Sequence, residues 1–207
     1  MKKIVFLVMT TEKNNQRIIN IKSTWGKDVD VFFYSEHENL ENNIIKVTNI
    51  NHPEVKQCEV FKTIKNNLID KYEWFFFSDD DTFVNVNLLL NKLNSFSLEK
   101  VHGQDIFGCY GDLHYPSGGA GFLISNKIIS NFFDIHSNVS PHSDTTLGLF
   151  MRKKSIDIEN CDLFKSQPPS FYKIDNDNVK NYISFHYINN FEHMNLLYNL
   201  CKKNMIS

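Results

Sequence analysis

The apolar stretch Trp74-Phe-Phe-Phe-Ser78 runs directly into three consecutive aspartates, Asp79-Asp80-Asp81. An unbroken apolar run with no polar alternation is what a strand needs when both of its faces are covered, as in the mostly parallel sheets of α/β folds. Two further runs suit the same sheet, Ile4-Val-Phe-Leu-Val-Met9 and Val29-Asp-Val-Phe-Phe-Tyr34. Helical spacing appears between and after them. Ile18, Ile19 and Ile21 mark a helix from about Lys13 to Thr24, and Val60, Phe61, Ile64, Leu68 and Ile69 mark one from Val60 to Tyr72, with a short helix from Asn85 to Leu93. This alternation predicts an α/β fold, a sheet with helices on both faces. Ligands of such sheets gather at the carboxyl ends of the strands, where the three aspartates fall.

Beyond residue 100 the pattern loosens. Gly111, Gly118, Gly119 and Gly121 crowd into eleven residues and read as a loop bordering a site, after which Ser125 caps a helix to about Ile135. A helix from Ser143 to Lys153 follows, then an irregular region with Pro168-Pro169, a short strand near Ile183 to Tyr187, and an amphipathic helix from Phe191 to about Lys203. No internal repeat or low-complexity linker interrupts the chain, and 207 residues suit one domain, residues 1–207, with a substantial core.

Charge excludes some partners. Lys and Arg number 22 against 24 Asp and Glu, for a net charge of -2, and no basic stripe marks a nucleic-acid surface. Cys58, Cys109, Cys161 and Cys201 lie far apart with no CxxC pair, which reads as reduced thiols and leaves one or two bridges open. The apolar run after Lys2-Lys3 ends at Met9, too short for a signal peptide, and no run approaches the roughly 20 residues of a membrane span. The expectation is a soluble protein that would need a partner or a lipid-linked acceptor to reach a membrane.

Three adjacent carboxylates at a buried strand end repel one another, and a cation is the simplest remedy. Oxygen ligands suit Mn²⁺ or Mg²⁺, which keep coordination positions for phosphate oxygens. The competing reading is a solvated acidic turn capping the next helix. A haloacid-dehalogenase-type phosphatase requires Thr or Val where Phe83 stands, and a glycoside hydrolase built on paired carboxylates accounts less well for three in a row. Trp74, Phe61 and Phe75 to Phe77 read as core.

Four segments then carry a specific resemblance: Trp74-Phe-Phe-Phe-Ser-Asp-Asp-Asp-Thr-Phe-Val84, Tyr115-Pro-Ser-Gly-Gly-Ala-Gly-Phe-Leu-Ile-Ser125, Asp144-Thr-Thr-Leu-Gly148 and Ile183-Ser-Phe-His-Tyr-Ile188. In this order they resemble the motifs of the Fringe and core-1 β1,3-galactosyltransferase family. Thr10-Thr11, Arg17 with Thr24-Trp25, and Phe61-Lys-Thr-Ile64 extend the likeness over roughly residues 4 to 200, and the closing stretch is nearer the core-1 enzymes.

The resemblance implies a GT-A (Rossmann-like) fold, an α/β architecture with a mixed, mostly parallel sheet flanked by helices, and an inverting transferase that passes a hexose from a UDP-sugar to a glycan or glycopeptide hydroxyl, with Mn²⁺, or Mg²⁺, on the diphosphate. Galactose leads among donors, with N-acetylglucosamine and glucose open, and β1,3 linkage is inherited the same way. By the same resemblance Asp81 and His186 are metal ligands and Asp144 is the general base, while Asp79 and Asp80 flank the ribose and metal-bound water with their duties undivided. Imidazole with carboxylate is independently a reasonable set for Mn²⁺.

Arg17 and Lys62 are the candidate cations for the diphosphate, and Thr10 and Thr11 end the first strand where uracil would lie. Glu36, after Ser35, stands where the family often has Asp, which puts its uridine contact in question. Gly119, Ala120 and Gly121, with Gly118, would let the backbone approach the sugars. His142 reads as a loop residue. The alternative from another class is a non-catalytic carbohydrate-binding or chaperone-like relative. Animal members are Golgi membrane proteins, so a chain without an anchor suggests a cytoplasmic viral or microbial enzyme ahead of a Golgi-lumen fragment.

Overall fold

The first apolar run becomes β1 (Lys2–Met9), which in the computed structural model lies inside a seven-stranded sheet. The structure describes residues 2–108, 111–132, 140 and 142–202. Parallel to β1 run β2 (Val31–Ser35), with β3 (Ile44–Lys46) outside it, and on the other side β4 (Tyr72–Asp79). Past β4 lie β9 (Phe122–Ser125), β6 (Val101–Gly103) and β10 (Ile158–Asn160). Only β9 runs against its neighbours, so the sheet is mixed and mostly parallel, as the sequence predicts.

Alternation along β1 explains why its sequence is apolar throughout. Val5 and Leu7 face one layer with Phe61, Phe77 and Leu147, while Phe6 and Val8 face the other with Trp25, Phe76 and Met194. The first layer is supplied by α2 (Pro53–Asn67), α4 (Asn126–Ile129) and α5 (Ser143–Lys153). The second comes from α1 (Asn15–Ser23), α3 (Val86–Lys92) and α6 (Phe191–Lys202). Among the described residues no helix is long and apolar enough to cross a membrane.

Asn85 caps α3 by accepting from the Leu88 N–H, and Ser125 caps α4 in the same way through Ile128. The expected continuation of α4 to Ile135 gives way to a 3-10 turn at Ser130–Phe132, and residues 133–139 lie outside the description, as do Cys109 and Lys203. Cys58, Cys161 and Cys201 are free thiols.

One boundary is corrected. α2 begins at Pro53 rather than Val60, with proline at its first position, and Tyr72 already belongs to β4. The first turns of α2 bury Glu54, Lys56 and Gln57, so no apolar periodicity announces them.

Two smaller sheets complete the fold. β7 (Asp105–Gly108) and β8 (Gly111–Pro116) pair antiparallel. β11 (Phe164–Lys165), β12 (Ser184–Phe185) and β5 (Phe83–Val84) form a three-stranded sheet beside the end of β4.

Candidate active site

The register of β1 on β4 pairs Met9 with Asp79, which sets the next residues, Thr10 and Asp80, side by side where both strands end. Thr10 Oγ1 donates to Asp80 Oδ2 at 2.7 Å, and Asn14 Nδ2 donates to the same oxygen at 2.8 Å. Arg17 Nη1 donates to Asp80 Oδ1 at 2.8 Å and lies 3.4 Å from Asp81 Oδ2, while its Nη2 donates to Asn189 at 2.6 Å. The acidic turn is clamped through its backbone as well: the Trp25 indole donates to the Thr82 carbonyl at 3.0 Å, and the Ile188 N–H donates to the Asp81 carbonyl at 2.8 Å.

The three-stranded sheet delivers His186. Pairing of Phe185 with Phe83 carries the next residue back toward the acidic turn, so the imidazole Nε2 lies 3.0 Å from Asp81 Oδ1 and 3.7 Å from Asp79 Oδ2. The backbone of Ser166 adds a smaller favourable contribution to the protonated ring. One atom from each of Asp79, Asp81 and His186 can be chosen so that all lie within 4.8 Å of one another. Tyr187, left-handed at φ 58° and 49% exposed, stacks its ring on the imidazole at 3.8 Å.

Charges in this cluster are unevenly matched. Asp79 keeps contact with solvent through the cleft, at 38% side-chain exposure, yet burial among protein atoms pushes its carboxyl up to about 6. The charges of Asp81, Asp80 and Asp144 add to this rise and His186 opposes it. Asp81 stays below the ordinary carboxylate range because the hydrogen bond and charge of His186, with Arg17, outweigh burial. His186 is raised, since Asp81 and Asp79 outweigh its own burial. Two carboxylates and one imidazole converging from one side form a donor set that fits a hard or borderline divalent cation.

Asp144 sits in the first turn of α5 and lines the same cavity, of about 440 Å³, as Thr10, Thr11, Asn14, Arg17 and the cluster. Burial raises its carboxyl above the ordinary range, against hydrogen bonds from the backbones of Thr145 and Gly118 and the charge of His142. His142, read from sequence as an ordinary loop residue, is in the cavity wall.

Lys62 is not near this cavity. It is half exposed on α2 and pairs with Glu59 at 2.5 Å. Six positions are about 240° around a helix, and it is Lys56, six residues earlier, that faces the site. Lys56 is fully buried, donating to the Thr10 carbonyl at 2.8 Å and to Glu36 Oε2 at 2.7 Å. Glu36 therefore serves an internal ion pair: against burial, bonds from Lys56 and Ser35 bring its carboxyl down to about 2.

In the glycine-rich loop, the space a side chain would need at Gly119 and Gly121 is taken by neighbouring rings. A Cβ on Gly119 would come within 2.1 Å of His186 Cε1, and one on Gly121, at φ 78°, within 2.5 Å of the Phe76 ring. Ala120 is wholly buried and its carbonyl accepts from Ser184 Oγ. Gly118 is the member that faces Asp144. Sequence reasoning missed Asn14, Lys56, Tyr187 and Asn189. Tyr187, beside a candidate ligand, was the one with a signal. A larger hollow of about 570 Å³, between the β7–β8 hairpin and the end of α5, is lined by Asp105, Asp112, His114 and Arg152. Among the described residues it holds no convergent ligand cluster.

Comparison with known proteins agrees with this architecture. The Fringe-like family matches residues 1–202. Glycoprotein-N-acetylgalactosamine 3-beta-galactosyltransferase 1 of Xenopus laevis is 23% identical over 168 residues, covering 77% of this chain and 44% of that protein. The chain thus spans less than half the length of this curated relative. Among solved structures, a glycosyltransferase involved in glycosylation of the major capsid of PBCV-1 superposes with a TM-score of 0.55 at 17% identity, over 94% of this chain and 99% of that one. The galactosyltransferase LgtC, with donor and acceptor sugar analogs, gives 0.51 at 14% identity over 95% of both chains. With the mostly parallel sheet and the acidic turn at its carboxyl edge, these matches establish a GT-A glycosyltransferase fold, and the chain belongs to the Fringe-like family.

Proposed function

We propose that this protein transfers a hexose, galactose first among the candidates, from a UDP-sugar to a hydroxyl of an acceptor glycan or glycopeptide, with inversion and β1,3 linkage. The observation that carries the reading is the sharing of one cavity by the Asp79, Asp81 and His186 cluster and Asp144. The similarity to the Xenopus laevis 3-beta-galactosyltransferase supports the choice of sugar and linkage.

Asp79, Asp81 and His186 would hold Mn²⁺, or Mg²⁺. Such an ion, when bound, supplies charge to the diphosphate and so stabilises UDP as a leaving group. Arg17, which lines the cavity with N–H groups to spare, adds a fixed positive charge on the same side. Thr10 and Thr11 border the nucleoside end. Asp144 accepts the proton of the acceptor hydroxyl as that oxygen bonds to the anomeric carbon from the face opposite UDP. Its raised basicity suits this role, because a carboxyl nearer neutrality takes a proton with more driving force. A non-catalytic carbohydrate-binding relative would have no reason to keep Asp81, His186 and Asp144 together.

The test is a UDP-release screen of UDP-galactose, UDP-N-acetylglucosamine and UDP-glucose, with hexose and hexosamine acceptors, with and without Mn²⁺. Metal-dependent turnover with one donor is expected. Absence of both turnover and UDP binding across the set overturns the enzyme reading.

A further inference from the structure

The three consecutive aspartates are not equivalent. Asp79 and Asp81 converge with His186, whereas Asp80, in the wall of the same cavity, is 4% exposed and has both carboxylate oxygens engaged by the protein. Oδ1 accepts from Arg17, and Oδ2 accepts from Thr10 Oγ1 and Asn14 Nδ2, at 2.7 to 2.8 Å. An ionised carboxylate offers about four lone-pair sites, so three charge-assisted or polar donors leave a buried Asp80 little capacity for a ribose hydroxyl.

We propose that Asp80 is a positioning residue that acts through Arg17, aiming the guanidinium at the diphosphate of the donor, and that it does not itself touch the nucleoside. The inference rests on reading the cleft as a nucleoside-diphosphate site. Thr10 and Asn14 have anchors of their own. The Thr10 N–H donates to the Tyr34 carbonyl, its carbonyl accepts from Lys56, and the Asn14 N–H donates to the Thr11 carbonyl. Arg17 is held through its backbone in α1, but its guanidinium, besides Asp80, has a hydrogen bond to Asn189 at an exposed position and the longer contact with Asp81. A guanidinium carries five N–H donors in a rigid fork, so fixing two directions fixes where the remaining donors point. The contact with Asp81 at 3.4 Å ties this fork to the metal-cluster side of the cleft.

The test compares uridine and UDP, titrated calorimetrically with Mn²⁺ against the wild-type chain, Asp80→Asn, Arg17→Ala and the double variant. Asp80→Asn should weaken UDP about tenfold or more, the scale of a lost hydrogen bond to a charged group, and leave uridine within about twofold. In the Arg17→Ala background the same substitution should add little, because two residues acting through one contact are not additive. Asp80→Glu keeps the charge and displaces it by one methylene. It should give the same nucleotide-selective loss and serves if Asp80→Asn does not fold. Equal weakening of uridine and UDP, or full additivity in the double variant, overturns the inference while leaving the nucleotide site standing. Failure of the wild-type chain to bind UDP overturns both.

Discussion

Replacing Asp144 by Asn separates chemistry from architecture. The amide keeps the shape of the carboxylate, and its oxygen can still accept the Thr145 N–H that Asp144 Oδ1 holds at 2.8 Å. What disappears is a titratable oxygen in the cavity wall. A positioned general base contributes roughly 10²- to 10⁴-fold, so loss of about 2.7 to 5.4 kcal/mol of transition-state stabilisation is expected in kcat/KM. Stability should move the other way. Burial raises the Asp144 pKa in the folded chain, so the native state binds this proton more tightly than the unfolded state does. Above the ordinary carboxylate range the ionised side chain therefore costs stability, and that cost grows as pH rises through the folded pKa. Asp144→Asn should thus melt at or above the wild-type temperature at pH 7, with Mn²⁺-dependent UDP affinity unchanged within about twofold. UDP-release kinetics, calorimetric titration and a thermal melt measure the three quantities. Turnover at the wild-type rate would remove Asp144 as the base. A loss of UDP affinity matching the loss of rate would make it a binding residue instead.

Other substitutions probe the surroundings of the cluster. Gly119→Ala places a methyl 2.1 Å from His186 Cε1 and should displace the ring, lowering Mn²⁺ affinity about 10- to 100-fold, read from the free-ion signal in electron paramagnetic resonance. Unchanged affinity would show that His186 is not needed for the ion. Glu36→Gln leaves the buried Lys56 ammonium with neutral acceptors and should cost about 3–5 kcal/mol in urea unfolding. Because Glu36 has its pKa lowered from 4.5 to about 2, the wild-type advantage should be complete above about pH 4.5 and fade as pH falls toward 2. A difference independent of pH would contradict the ion pair. Lys62→Ala, at an exposed salt bridge, should change stability by less than about 1 kcal/mol and leave UDP affinity untouched, and any marked loss of binding would return Lys62 to the site.

The readable parts of the sequence are those where burial is two-sided or a helix begins cleanly. β4 announces itself because Phe75 and Phe77 serve one layer while Trp74 and Phe76 serve the other, leaving no polar residue in the run. α5 was legible at both ends, from Ser143 to Lys153, and Asp81 and His186, paired by the motif assignment, lie 3.0 Å apart, whereas the place of Asp79 beside them was not singled out from that of Asp80. What escaped depends on orientation, which residue types do not encode. Lys56 and Lys62 are alike in sequence, but one lies buried under Thr10 and the other faces solvent. Gly119 and Gly121 signal that a side chain cannot fit, without saying whether a sugar or a neighbouring ring fills the space. β3, β6 and β10 have three residues each, too few for a period-two pattern to rise above the flanking loops.

The residues that converge on the cleft are distant in the chain, since Asp81 follows the end of β4 whereas His186 follows β12, 105 positions later. The intervening chain must already be in place before the two can meet, and the Asp81 carbonyl to Ile188 N–H bond latches them when they do. An ion held by Asp81 and His186 would therefore be a staple as much as a cofactor. It would close a long loop whose entropy cost has been met by folding, bind only the docked arrangement, and so hold the C-terminal segment against the body of the protein.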